Sequence, residues 1–331
     1  MGQTIADYFR GFAEAVGKAW NRFWFLPSDA APLAVLRIIA GLVALYLHVT
    51  LSFDLVRLFG PNAILSSEIV RQLDLGPGPS YLHFLSTPTE LWVAHLLGGV
   101  VLVFFTVGLW TRVTSVLAAM VMLASIHRGP LLTAEVELVL AFVLVYLCIG
   151  PSGAWLSLDA YRSRRRGGAP TKSPHPSPED GGGGFRKSSQ HYTATIAIRL
   201  IQLQTALVYF MMGVVMLSGP NASWWIGDAM WFLIARPESR LIDLTWLADY
   251  PLLLNAWSHG VVAYELAFVV FVWNRWTRPL ILVLGIPHWL LLAPVTGRAP
   301  FCLLMLGLNL AFVPGAMLRA AVGSRHLVIR H

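Results

Sequence analysis

The chain reads as an all-α, polytopic membrane helix bundle, with about eight transmembrane helices behind an N-terminal interfacial amphipathic helix. Three observations point there. Of 331 residues, 56% are hydrophobic and only 12% charged, with mean hydropathy +0.64, where soluble domains carry about 25% charged residues. Apolar runs approach the roughly 20 residues that cross a hydrocarbon core of about 30 Å. The basic residues between these runs alternate in density from loop to loop. A soluble enzyme, a disordered chain and a nucleic-acid-binding domain are excluded, despite the net charge of +7. Cys148 and Cys302 are too few for a disulfide framework and lie in apolar runs.

Residues 1–30 come first. Tyr8, Phe9, Phe12, Ala15, Ala19, Phe23 and Trp24 recur at helical spacing against Arg10, Glu14, Lys18 and Arg22. That pattern makes an amphipathic helix, lying in the membrane interface or packed on the protein itself. A first four-helix half follows over 31–160, with spans at Pro32–Phe53, Glu90–Trp110, Val113–Ile126 and Leu131–Ile149. Residues 161–190 are Arg-, Gly-, Pro- and Ser-rich, a composition that cannot bury enough apolar surface to fold, so a flexible cytoplasmic linker is expected. The second half, 191–320, carries spans at Ala194–Leu217, Leu252–Trp273, Pro279–Val295 and Phe301–Leu318. Residues 321–331 form a tail.

Eight spans with the N-terminus inside put sixteen basic residues in cytoplasmic segments. Six lie outside: Arg57, Arg71, Arg128, Arg236, Arg240 and Arg298. This distribution predicts a multi-pass protein of the cell (inner) membrane with both termini cytoplasmic.

Ionisable side chains inside a bilayer are costly and mark functional positions. On the first span Arg37, Gly41, Ala44 and His48 share one face. On the fifth, Arg199, Gln202, Ala206, Tyr209, Gly213 and Met216 recur at spacings of three and four, a stripe that is polar at one end and apolar at the other. Such a stripe faces inward, to line a cavity or to bond neighbouring helices. Arg37, Arg199, Gln202, Tyr209 and Met216 are therefore the candidate cofactor-lining residues. Glu135 and Glu137, two apart, do not make a paired-carboxylate site, but one of them can reach Arg128 or His127. His259 and Glu265 fall on opposite sides of the sixth span, and Pro287-His288 predicts a kink in the seventh. Glu265 and His288 are the candidate proton-handling residues. No pair of histidines has metal-ligand spacing, and no nucleotide-binding or serine-nucleophile motif occurs.

Several stretches fall in one order along the chain. They are Leu36-Arg37-Ile38, Phe59-Gly60-Pro61, and Gly153-Ala154-Trp155-Leu156-Ser157-Leu158-Asp159. Tyr209–Leu217, Trp225-Ile226-Gly227-Asp228-Ala229, Tyr264-Glu265-Leu266, His288 and Phe301 follow. In this set the chain resembles the HTTM proteins, the membrane-domain family related to vitamin-K-dependent γ-carboxylase. The resemblance implies an all-helical membrane domain. In its animal members, it implies oxidation of a reduced naphthoquinone coupled to proton abstraction and CO2 addition at glutamate. A membrane lysine is their base, in a segment resembling Tyr-Phe-x-x-Gly-x-x-Lys-Leu. Here that place is Met216, and the three lysines, Lys18, Lys172 and Lys187, all lie outside the spans. Glutamyl carboxylation is therefore not expected. Two roles are: holding a membrane quinone or lipid in an internal polar cavity, or acting as a non-catalytic scaffold or maturation factor. The second is the role of bacterial relatives of the sporulation-delaying protein B type, which work with a small secreted or membrane partner. The bilayer is the expected surrounding, and no nucleic-acid partner is.

Overall fold

Helix α2, Ala31–Ser52, packs against helices from both halves of the chain. Its run of Leu, Ala, Val and Ile buries one side, with Leu33, Leu36, Ala40 and Val43 at most 2% exposed, while Leu42, Tyr46 and Val49 face outward. In this computed structural model residues 2–60, 63, 80–85, 87–165, 190–219, 222–237 and 241–323 are described. Most of the expected linker, the tail beyond 323, and Pro61, Arg71 and Arg240 lie outside them.

Before α2 runs α1, Gly2–Phe25. Residues 7–22 are exposed throughout, and Phe23 and Trp24 turn in against the bundle. The aromatic arc of α1 is thus not consumed by packing on the protein. After α2 comes a short α3, Leu55–Phe59, and then α4, Pro88–Val107. Thr87 and Glu90 cap α4 reciprocally, and Pro88 sits where a missing N–H costs nothing. Gly108 ends it in the left-handed conformation, at φ 76°.

Helix α5, Thr111–Arg128, packs against α4 across a turn of a few residues, and the two form a helical hairpin. Its last turn carries Arg128, which is 3% exposed, with its guanidinium 5.3 Å from the Phe59 ring centroid. α6, Glu135–Ile149, follows, its entry held by the Glu137 carboxylate accepting from Ala134 N at 2.9 Å. Glu135 instead pairs with Arg298 at 3.0 Å, and both are exposed. α7, Leu158–Arg165, carries Arg162, Arg164 and Arg165.

The second half opens with α8, Tyr192–Ser218. Two short helices, α9 (Ser223–Ile226) and α10 (Ala229–Ile234), lie against α11, Pro251–Phe271. Asn255 donates to Ile226 O, and Ser258 Oγ accepts from Met230 N. α12, Arg278–Thr296, continues through Pro287 and Pro294 without interruption of its helical assignment. α13, Ala299–Leu308, tightens into a 3₁₀ turn over Asn309–Phe312. The chain then bends by 113° at Pro314 into α14, Gly315–Gly323. The single run read as Phe301–Leu318 is therefore two helices, because a proline cannot continue the ladder.

One hydrophobic core takes side chains from both halves, among them Leu36, Leu102, Leu144, Ile201, Phe268, Trp289 and Met305. Among the described residues five helices are long and apolar enough to cross a membrane, α2, α4, α8, α11 and α12, or up to six if the bent α13–α14 pair is one span. The only strands among the described residues are β1 (Ser28–Asp29) and β2 (Gln190–His191), paired antiparallel with Ser28 opposite His191. Asp29 also accepts from Ala31 N and from Arg319 of α14 through both of its oxygens. The segments before α2, before α8 and after α13 therefore share one side of the bundle.

Candidate functional site

A buried polar group lies where α8, α11, α12 and the 3₁₀ turn after α13 converge. Tyr209 is fully buried, its ring stacked 3.8 Å from Phe268 and edge-on to Tyr264 at 5.8 Å. Its hydroxyl accepts from Trp289 Nε1 at 2.7 Å and donates to Asn309 Oδ1 at 3.1 Å. Asn309 sits where α13 ends, so the phenol ties a helix break to two continuous helices. Gly285 makes the approach possible, since a Cβ there would lie 2.5 Å from Tyr264 Oη and 2.9 Å from Asn309 Nδ2.

Beside this chain lies a carboxyl–imidazole pair. Glu265 Oε1 is 3.1 Å from His288 Nε2, and the two side chains are 0% and 7% exposed. Among the described residues Glu265 Oε2 has no hydrogen-bond partner. The Tyr264 ring lies 4.1 Å from the imidazole and the Trp289 ring 4.9 Å from it. An unpaired oxygen on a buried carboxyl is energetically expensive. Among the described residues no group of three His, Cys, Asp or Glu side chains is placed to hold a metal.

Trp289 has a second face. It forms part of an apolar groove of about 380 Å³ between α2, α12 and α13, lined also by Leu42, Tyr46, Leu290, Cys302 and Leu303. Leu42, Tyr46, Leu290 and Leu303 are each more than half exposed, so the groove opens sideways, toward whatever surrounds the helices. The tryptophan is the wall between this groove and the polar chain.

The residues expected from the sequence are distributed as follows. The stripe on α8 faces inward as its spacing requires. Arg199 donates to Gln202 Oε1 at 2.8 Å and to Phe23 O at 3.2 Å, and its guanidinium covers the Phe23 ring at 4.4 Å. Gln202 passes the chain on to Ala311 O at 2.7 Å. These bonds hold α1 and the 3₁₀ turn onto α8, and none of them reaches the Glu265–His288 pair. Gly213 brings α11 close, a Cβ there falling 3.4 Å from Glu265 Cβ, and Met216 is half-buried one turn further on.

Arg37 belongs to a different cluster. It is 0% exposed and donates to Ser152 O at 2.6 Å and Leu156 O at 2.5 Å. The segment 153–159 wraps this guanidinium, and Asp159 then caps α5 by accepting from Trp110 N and Thr111 N. Gly108 must be glycine here, since its φ is positive and a Cβ would lie 2.5 Å from Ser157 Cβ and 2.9 Å from Arg37 Cζ. His259, on the opposite side of α11 from Glu265, contacts Trp225 O.

Asn309 and Trp289 are not among the residues expected from the sequence, and Tyr264 enters there only within the stretch Tyr264-Glu265-Leu266. A lone amide inside the apolar run 301–312 is the available signal for Asn309. Trp289 gives none, because partners on other helices decide its role.

The fold and site describe a class, an all-helical bundle whose apolar helices suit a multi-pass membrane protein, with a buried polar cluster behind a lateral groove. Compared with models of known families, with curated proteins and with solved structures, the chain finds no match.

Proposed function

We propose that the chain is an eight-span HTTM-type membrane protein that binds a lipophilic quinone or a similar isoprenoid lipid at the Trp289 groove. The count of eight adds α5, α6 and α13 with its 3₁₀ turn to the five longest helices. Parity supports it. Asp29, Gln190 and Arg319 meet on one side of the bundle, so an even number of crossings separates each from the next. The loop arginines favour that side as the cytoplasmic face of the cell membrane.

The observation that carries the ligand reading is the Glu265–His288 pair with its unpaired Glu265 Oε2, set behind a groove that opens laterally. The residues present fit such a group. Leu42, Leu290 and Leu303 suit an isoprenoid tail, Trp289 and Tyr46 suit a flat ring, and the dyad holds or releases a proton behind that wall. A bound quinone supplies a two-electron, two-proton couple. Met216 cannot act as a base, so glutamyl carboxylation is not part of the reading. Extracting lipids from the purified protein, then titrating a short-tailed isoprenoid quinone while following tryptophan fluorescence, tests it. A quinone that copurifies, and binding weakened by Trp289→Ala, are expected. If no quinone copurifies and none binds on addition, the reading fails.

Met216 also favours a second reading, since a scaffold or maturation factor for a secreted peptide needs no membrane base. Capture of a small secreted precursor by the tagged protein in its own membranes, unaffected by Glu265→Gln, would select it.

A further inference from the structure

On the α1 side of the bundle two guanidiniums flank an aromatic pair. Arg199 of α8 covers the Phe23 ring at 4.4 Å, and the Phe23 ring lies 6.3 Å from that of Trp273. Arg278, the first residue of α12, turns back over the end of α11, donating to Trp273 O at 3.3 Å and Val272 O at 2.9 Å. Both arginines are half-buried, and they are close enough for the charge of Arg278 to act on Arg199.

The bonds already made leave donors over. Arg199 spends Nε on Phe23 O and Nη1 on Gln202 Oε1, and Arg278 spends Nε and Nη2 on its two carbonyls. Arg199 Nη2 and Arg278 Nη1 are left without a protein partner among the described residues, and neither atom is sealed in the interior. Among the same residues neither arginine pairs with a carboxylate, whereas Arg298 has Glu135 and Arg319 has Asp29. Asp29, the carboxylate on this side of the bundle, already gives both oxygens to Arg319.

Two like charges held together out of bulk water repel each other more than they would in it, and a shared anion removes that cost. Free guanidinium N–H groups bond phosphate oxygens in charge-assisted geometry. The surroundings identify the source of the phosphate. Arg199 lies in an apolar helix long enough to cross a membrane. The exposed Trp276, with the Arg275 guanidinium 4.6 Å from its ring centroid, stands in the turn before Arg278. Tryptophan and basic residues together at helix ends mark the head-group level of a bilayer. We propose that Arg199 and Arg278 together bind the phosphate of an anionic phospholipid in the leaflet on the α1 side. The lipid ties α1, held to Arg199 through Phe23 O, to the turn joining α11 and α12. A zwitterionic lipid brings its own cation beside the phosphate and leaves the arginine pair poorly compensated. The site shares no residue with the Trp289 groove, so it stands whatever that groove holds.

Native mass spectrometry of the full chain in detergent, titrated with phosphatidylglycerol or phosphatidylcholine, tests the site. The wild type is expected to retain one phosphatidylglycerol about tenfold more tightly than phosphatidylcholine, a difference of about 1.4 kcal/mol. Arg278→Gln removes one of the two charges and brings the lipids level, while Arg275→Gln, at an exposed neighbour, leaves the preference intact. Thr277→Asp sets a carboxylate beside Arg278 at the N-cap of α12, where helices favour one. It also brings the lipids level, and it serves if Arg278→Gln does not yield folded protein. Equal retention of both lipids by the wild type, or an undiminished preference in Arg278→Gln and Thr277→Asp, overturns the site. Displacement of phosphatidylglycerol by excess inorganic phosphate overturns its assignment to a lipid.

Discussion

Trp289 donates its indole N–H to the hydroxyl of Tyr209 at 2.7 Å, and that hydroxyl donates onward to Asn309 at 3.1 Å. One buried phenol therefore joins α12, α8 and the break that ends α13. A backbone carbonyl of that break is met separately, by Gln202 Nε2 donating to Ala311 O at 2.7 Å. The phenol also fixes the tryptophan that separates the polar cluster from the lateral groove.

Tyr209→Phe keeps the stack on Phe268 and removes only the hydroxyl. The Trp289 N–H and Asn309 Oδ1 are then left without their partner, at a cost of about 1–3 kcal/mol per buried group. A clear fall in the melting temperature of the purified protein is expected. An unchanged melt would mean that the phenol bridges the helices without stabilising them.

Two glycines in neighbouring helices should behave in opposite ways. Gly285→Ala drives a methyl group into Tyr264 Oη and Asn309 Nδ2, and overpacking of this kind costs about 1–3 kcal/mol. Gly260 has nothing within 4 Å of a built Cβ. Gly260→Ala should be neutral or stabilising by about 0.5–1 kcal/mol, since alanine is the better helix former. Thermal melts of the two variants side by side decide it.

Arg37 donates to two carbonyls four residues apart, Ser152 and Leu156, and lysine cannot span both in that fork geometry. Arg37→Lys should therefore be nearly as damaging as Arg37→Ala, with about 1.5–3 kcal/mol lost per bond to the charged group. The yield of monodisperse protein in detergent is the measurement. Full rescue by lysine would show that charge alone, and not geometry, is what the 153–159 segment requires.

The pH prediction concerns the collar on the α1 side. Burial works to raise the Asp29 carboxyl, but the Arg319 hydrogen bond, the Ala31 backbone N–H and the Arg319 charge outweigh it. The group is held below its ordinary value of 3.8. A carboxyl depressed in the folded state contributes stability at neutral pH, which is lost as pH falls through the folded value. Asp29→Asn should therefore melt below the wild type at pH 7, with the gap closing on acidification below the ordinary carboxylate range. A gap independent of pH would assign the effect to packing.

Much of this was legible from spacing alone. The helical identity of the membrane runs, the inward face of the Arg199–Gln202–Tyr209–Gly213 stripe and the opposite placement of His259 and Glu265 all follow from 3.6 residues per turn. The amphipathic pattern of α1 was equally plain. Whether its aromatic face packs on the protein was not, because that depends on where Phe23 meets Arg199, 176 positions away. The break at Pro314 was readable in principle, but hydropathy averaged across it.

What the sequence by itself determined was the class of the molecule, its helices and which side chain of each helix faces inward, because these depend on composition and local periodicity. The tertiary structure decided which inward-facing groups meet. It paired Glu265 with His288, gave Arg37 to the 153–159 segment and not to the α8 stripe, and stacked His48 on His95. The physical reason is that a polar atom buried among apolar helices must find its partner on another helix. Which helix lies opposite is set by the packing of the whole bundle, and no local pattern encodes it.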